Sequence, residues 1–307
     1  MVTGANGFIG QHLVNTLVDQ GFFVVPTVRA IPVGDEIAVG NVGPHTDWSI
    51  PLKKKPNVVI HLAAQVSPDR GAASDHLKLY RTVNVSGSLN LARQAFVSGV
   101  KRIVYLSTIK VNGESTFSNR LYRAGDLPTP ESPYAISKYE AELALSKFAD
   151  ETGMEVTVIR PPLVYGPKVK GNFQRMINWL ERGTPLPFGG ITQNRRSFVA
   201  LDNLVNLIIT CAEHRAAANQ TFLVSDGEDL STADLLKRMC FVLGTPNRSF
   251  YMPIILLKVG LAIFGKTDIY QRLCGSLQLD IVKTREVLNW SPPVDVAEGL
   301  RSINTGR

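Results

Sequence analysis

Cysteine is scarce. Only Cys211, Cys240 and Cys274 occur in 307 residues. An odd, sparse set without metal-ligand spacing excludes a disulfide frame and a zinc site, and it predicts a reducing compartment. Long apolar runs are also missing. The nearest is 250–265, interrupted by Lys258, short of the ~20 apolar residues of a membrane span. It reads as a buried or partner-facing helix rather than a membrane-surface one, and peripheral membrane contact stays open. The first residues lack the charged and apolar regions of a signal peptide, so a cytoplasmic protein is expected. Basic clusters are few. The net charge is +7, yet the longest basic run is Lys53-Lys54-Lys55. Dispersed cations do not indicate nucleic acid; they suit an anionic ligand such as a nucleotide or sugar diphosphate, or an acidic surface. Repeats and low-complexity tracts are absent.

What is present is an ordinary globular balance, with 44% hydrophobic and 19% charged residues. Strand-like runs at Phe22–Val28, Val58–Leu62, Arg102–Leu106 and Val156–Ile159 alternate with helical patterns at Val83–Ser98 and Tyr134–Thr152. That alternation predicts an α/β fold: a doubly wound parallel sheet of Rossmann type, with function at the carboxyl ends of its strands. Prolines and glycines crowd the chain after Arg160. They divide it into a dinucleotide-binding domain over 1–165, returning at about 197–224, and a smaller C-terminal substrate-binding region over 166–196 and 225–307. Only Met1-Val2-Thr3 precedes the first glycine, where a central strand usually needs ~5–6 residues. The first strand is therefore expected to be mostly lost and the sheet beneath it weakened.

Several motifs carry chemistry. Gly4-Ala5-Asn6-Gly7-Phe8-Ile9-Gly10 lies between a strand tail and an amphipathic helix. Glycines there let the backbone approach a diphosphate seated on the helix N-terminus. After the second strand, Thr27-Val28-Arg29-Ala30 offers no acid for a ribose 2′-hydroxyl. Arg29 instead suits a 2′-phosphate, which points to NADP with NAD as the alternative. In His61-Leu62-Ala63-Ala64 the small residues leave room for a cofactor ribose, and His61 reads as a packed histidine rather than a catalytic one. Ser132 and Pro133 open a helix that Gly153 stops. On it Tyr134 and Lys138 share a face four residues apart. An ammonium beside a phenol lowers the phenol pKa and lets it transfer a proton, although such a pair is also common as a surface pair.

Taken in order, the glycine motif, His-Leu-Ala-Ala, Asn84–Leu91, Leu106-Ser107-Thr108, Tyr134-x-x-x-Lys138 and Arg160-Pro161-Pro162 resemble the extended short-chain dehydrogenases/reductases, in their nucleotide-sugar epimerase and dehydratase group. The resemblance implies a catalytic triad of Thr108, Tyr134 and Lys138, with Lys138 also on the nicotinamide ribose. It implies cofactor contacts from Gly4, Asn6, Gly7, Phe8, Ile9, Gly10, Arg29, Asn41, Val42, Leu62, Ala63, Ala64, Tyr134, Lys138 and Pro161. Asn41 stands where the family often has Asp facing the adenine. For a UDP-sugar it implies Thr108, Asn172, Phe188, Arg196 and Arg272. Asn84 is either a shaper of the site or a helix-packing amide. Homodimers are common in the family, and no metal is expected.

Thr108 is followed by Ile109-Lys110, where the family's 4,6-dehydratases carry Asp-Glu. Without that acid/base pair, elimination of water has no proton shuttle, so a dehydratase is rejected. The leading expectation is a 4-ketoreductase acting on a UDP-4-keto-6-deoxy-N-acetylhexosamine for surface-polysaccharide synthesis, favoured by Arg29. The alternative is a UDP-glucose or UDP-N-acetylglucosamine 4-epimerase. A non-enzymatic dinucleotide-binding regulator is disfavoured by the intact triad, and a steroid- or flavonoid-type reductase by Phe188 and Arg196.

Overall fold

The computed structural model describes residues 1–66, 73–117, 120–263, 265 and 267–305. Its centre is a seven-stranded parallel sheet built from β1 (Val2–Thr3), β2 (Pro26–Val28), β3 (Ile37–Ala38), β4 (Val58–His61), β5 (Arg102–Leu106), β6 (Glu155–Arg160) and β9 (Thr221–Leu223). The order is β3-β2-β1-β4-β5-β6-β9, the doubly wound arrangement expected. The order in which successive strands are added reverses between β1 and β4, and a ligand crevice forms at such a switch point. Two further strands, β7 (Leu163–Tyr165) and β8 (Phe198–Ala200), pair in parallel as a separate ribbon.

β1 is two residues long, as expected, yet it pairs on both sides. Val2 and Thr3 lie opposite Pro26 and Thr27 on β2 and opposite Ile60 and His61 on β4. Val2 also joins a core of Leu13, Ile60, Val104, Ile159 and Phe222. The second strand is shorter than its apolar run suggests. Phe22 and Phe23 are exposed and only Pro26–Val28 pairs, because β1 starts at Val2 opposite Pro26 and offers no strand for the earlier residues to pair with.

The helices follow in order: α1 (Phe8–Asp19), α2 (Ser49–Leu52), α3 (Ala73–Tyr80), α4 (Ser88–Val97), α5 (Pro133–Thr152), α6 (Gly171–Glu181), α7 (Leu201–Glu213), α8 (Thr232–Leu243), α9 (Ile254–Ile263), α10 (Thr267–Cys274), α11 (Val282–Leu288) and α12 (Val296–Thr305). Between α3 and α4 runs a π-helical segment, Arg81–Gly87. The helix expected over Val83–Ser98 thus begins earlier and carries a bulged middle, a form that recurs at functional sites. The return of the chain to the first domain also differs in detail. Phe198–Ala200 pairs with β7, while α7 packs into the central core and β9 joins the main sheet. The other face of the sheet carries a second core of Trp48, Val59, Leu91, Ile103, Tyr105 and Leu145. A third core around Phe173, Ile177, Leu236 and Leu300 holds the C-terminal region. No helix among the described residues is long and apolar enough to cross a membrane. The helix near residue 250 is not buried within the chain: most of α9 is exposed, which corrects the buried form of the expectation and leaves its partner-facing form untouched.

Candidate active site

All seven strands are parallel, so their carboxyl ends share one edge, and the motif residues gather there. After β1 the chain turns sharply at Gly4 (φ +69°), and Gly7 N–H donates to Gly4 O at 2.9 Å. A Cβ on Gly10 would lie 2.2 Å from Gly4 O and 2.8 Å from Ala5 O. Only glycine lets α1 start this close to the loop. Gly7 is the extended residue before α1, Asn6 and Gly7 are exposed, and Phe8 and Ile9 form the first turn. These features fit a dinucleotide diphosphate: a tight glycine cradle feeding a helix N-terminus of twelve residues. Neighbouring strand ends complete the wall. A Cβ on Gly4 would lie 3.0 Å from Ala63 N, and Leu62 and Ala63 N–H donate to Thr3 Oγ1, each at 3.2 Å. Ala64 follows, half-buried.

The residues expected at the adenine lie after β2 and β3. Arg29 is exposed directly after β2, and Asn41 is exposed after β3. Val42 is half-buried against the π segment, where a Cβ on Gly87 would meet its Cγ1 at 2.8 Å.

The corner that holds the expected triad is set by β5, β6 and α5. Thr108 follows β5 in extended conformation and caps a short 3-10 turn, its Oγ1 accepting from Lys110 N–H at 3.3 Å. Pro161 O, just past β6, accepts from Ile109 N–H at 2.9 Å and pins that turn. Lys138 is fully buried. Its Nζ donates to Leu106 O at 2.7 Å and lies 4.0 Å over the Tyr105 ring. Burial lowers its pKa to about 7, opposed by the nearby Glu142. Tyr134 is half-buried, edge-on to Tyr80 with ring centroids 6.0 Å apart. Loss of solvation raises its pKa to about 12, and Tyr80 adds to the rise. The expected lowering by Lys138 is therefore corrected: loss of solvation decides the direction of the shift. The expected cap is corrected too. Ser132 occupies the N-cap position of α5 in extended conformation but makes no side-chain cap, its hydroxyl being turned to donate to Glu114 Oε1 at 3.0 Å.

Sequence reasoning missed the support behind these side chains. Glu142, one turn beyond Lys138, is buried and pairs with Arg160, whose Nη2 lies 2.5 Å from Oε2. Ser107 Oγ donates to the same carboxylate, and Arg160 Nη1 donates to Asn112 Oδ1 at 2.9 Å. The network ties β5, β6 and α5 together beneath Thr108. Its one signal in the sequence is the four-residue step from Tyr134 to Lys138 to Glu142. Asn84, inside the π segment, accepts from Gln65 N–H at 2.8 Å and donates to Ser137 Oγ at 3.0 Å, so it holds the loop after β4 against α5. His61 is a packed histidine, bonded to Thr3 Oγ1 at 2.7 Å and Ser88 Oγ at 2.8 Å. Burial lowers its pKa to about 3. Glu114, the carboxylate near the corner, is held by Lys110 at 2.8 Å.

The substrate-side residues sit in the C-terminal region. Arg196 is mostly buried and donates to Gly275 O at 3.0 Å. Burial lowers its pKa, Glu114 opposes the drop and Arg272 adds to it, so the two arginines and Glu114 share one neighbourhood. Arg272 is exposed on α10. Phe188 is half-buried, packing against the third core in a loop whose Gly189 N–H donates to Phe250 O. Asn172 is exposed at the start of α6, where it accepts from Arg175 on its own helix. Phe173 beside it is core, stacked on Tyr165. Among the described residues no cluster of three or more His, Cys, Asp or Glu could hold a metal.

The family model of the NAD dependent epimerase/dehydratase family matches residues 1–225. A UDP-glucose 4-epimerase from Vibrio cholerae is 44% identical over 98% of this chain and 93% of its own. Among solved structures, a UDP-glucose 4-epimerase from Thermotoga maritima with UDP-glucose superposes with a TM-score of 0.79. It is 25% identical over 99% of this chain and 97% of its own. MoeE5 in complex with UDP-glucose and NAD superposes with a TM-score of 0.77, 26% identical over 98% of this chain and 95% of its own. The parallel sheet, the glycine cradle at its switch point and the match over most of the chain lead to one conclusion: this chain is an enzyme of the NAD dependent epimerase/dehydratase family, an extended short-chain dehydrogenase/reductase.

Proposed function

We propose that the chain is a UDP-hexose 4-epimerase working with NAD, and that UDP-glucose and UDP-galactose are its pair. The observation that carries this reading is the 44% identity to a UDP-glucose 4-epimerase over nearly the whole chain, joined to a corner holding Thr108, Tyr134 and Lys138. The cofactor, when bound, supplies reversible hydride acceptance and return at C4. The chain's own residues do the rest. Tyr134 takes the proton of the C4 hydroxyl and later returns it. Thr108 Oγ1 hydrogen-bonds the reacting oxygen. Lys138, its pKa held to about 7 by burial, contacts the nicotinamide ribose, and its ammonium form favours the tyrosinate. Gly4, Asn6, Gly7, Phe8, Ile9 and Gly10 hold the diphosphate of the dinucleotide. Arg29, Asn41 and Val42 face its adenine end, and Leu62, Ala63, Ala64 and Pro161 line its path. Arg196 and Arg272 receive the UDP diphosphate, with Asn172 and Phe188 on its flanks.

The one-way ketoreductase is the second reading. Its support is Arg29, a cation exposed at the end of β2 with no acid beside it in Thr27–Ala30, which suits NADP. Incubation with NAD and UDP-glucose, read by NMR of the anomeric protons, separates the two. Interconversion with UDP-galactose and no net cofactor change is expected. Stoichiometric loss of NADPH with a UDP-4-keto sugar, and no epimer formed, would replace the epimerase with the reductase.

A further inference from the structure

We propose that the segment from Phe250 to Ile263 is a membrane-interface element that docks this chain on an anionic phospholipid bilayer. The first observation is apolar exposure. Ile254, Ile255, Val259 and Ile263 are 37%, 70%, 52% and 76% exposed. With Lys258 and Ala262 they form a stripe at i, i+4 and i+8 along one side of α9. Phe250 and Tyr251, just before the helix, are 46% and 75% exposed, and aromatic side chains of this kind favour the headgroup level. Leu257 alone in α9 is buried, and α9 leans on α10. An apolar face this continuous is uncommon on a soluble surface without an occupant.

The second observation selects the occupant. Between Asp234 and Asp268 the charged residues are Lys237, Arg238, Arg248, Lys258 and Lys266, with no Asp or Glu among them. Arg238 is engaged by Glu228; the rest of the segment remains uniformly cationic. A second copy docking by the same face would bring two acid-free cationic segments together, in a chain whose net charge is already +7. Anionic lipid headgroups offset that charge, while the apolar stripe enters the acyl boundary. The ten residues of α9 extend only ~15 Å, half a bilayer core, so the helix lies in the interface instead of crossing it. This inference is independent of the sugar chemistry proposed above.

Flotation of the full chain with vesicles tests it. Binding is expected to phosphatidylglycerol-containing vesicles, to weaken with added salt, and to fall on pure phosphatidylcholine vesicles. The double substitution Ile255→Glu with Val259→Glu should reduce flotation by at least about tenfold, with an unchanged circular-dichroism spectrum and thermal midpoint. Lys258→Glu, which keeps the apolar stripe, should reduce it less and remove part of the salt dependence. Failure of the natural chain to float with anionic vesicles at low salt would overturn the proposal, and so would equal flotation by the double variant. Conversion of a dimer to a monomer by the double variant, without any vesicle binding by the natural chain, would assign the face to a second copy.

Discussion

Burial pushes the Tyr134 phenol up to about 12 and the Lys138 ammonium down to about 7. The phenol stays neutral and the amine is only partly charged. A negative group beside Lys138 would raise its charge and so draw the tyrosine downward. Tyr134→Phe removes the proton and leaves the ring packed on Tyr80. Epimerisation should fall by about 10²–10⁴-fold with little change in thermal midpoint, as measured by NMR turnover beside a melting curve. Glu142 acts at the same scale by a different route. Both it and Arg160 are buried, so Glu142→Ala leaves a guanidinium without its counter-ion. The expected loss is about 3–5 kcal/mol of stability, read by denaturant unfolding. Glu142→Gln keeps the shape but weakens the bond to Ser107, so turnover should drop more than stability does.

At the scale of elements, two close approaches of backbone shape the carboxyl edge of the sheet. α1 begins against the loop Gly4–Gly7, and the π segment Arg81–Gly87 presses on the loop that carries Val42 and Gly43. Gly10→Ala would push a methyl to 2.2 Å from a carbonyl oxygen. Because the obstacle is backbone, the helix start must move, and NAD affinity measured by calorimetry should fall while the melting point drops modestly. Gly87→Ala meets Val42 Cγ1 at 2.8 Å and Gly43 N at 3.1 Å. The overpacking should cost about 1–3 kcal/mol, measured by chemical denaturation. The glycine loop was legible in the sequence because its spacing is a backbone requirement. The π segment was not: its residues have ordinary helical character, and the extra residue per turn shows only once Asn84 must reach both Gln65 and Ser137.

For the whole molecule, the buried bases set how stability depends on pH. Folding lowers the pKa of Lys138 from 10.5 to about 7 and that of His61 from 6.5 to about 3. Within each window the unfolded chain binds a proton that the folded chain does not, so stability rises with pH across both. Tyr134 has the opposite sign, since its pKa rises from 10.0 to about 12 and folding is disfavoured as the unfolded phenol ionises. The thiols of Cys211 and Cys274 share that sign, raised by burial from 9.0 to about 12 and about 11, so thermal midpoints should climb from acid toward a maximum at about pH 9 and then decline. Lys138→Met should flatten the climb above pH 7, and an unchanged slope there would refute the buried, depressed lysine.

The order of motifs along the chain determined the fold class, the family and the identity of the candidate site residues, because strand periodicity, glycine spacing and the Tyr-x-x-x-Lys step are local properties of the chain. The tertiary structure decided what no local pattern contains. It set the length of β2, because pairing requires a neighbour and Phe22 and Phe23 have none. It placed β8 beside β7 rather than in the main sheet. It directed the hydroxyl of the N-cap residue Ser132 to Glu114 instead of to the first turn of α5. It also buried Glu142 against Arg160 and left α9 uncovered. Each of these depends on which distant segment lies alongside, and on whether that segment can solvate a charge or cover an apolar face better than water does.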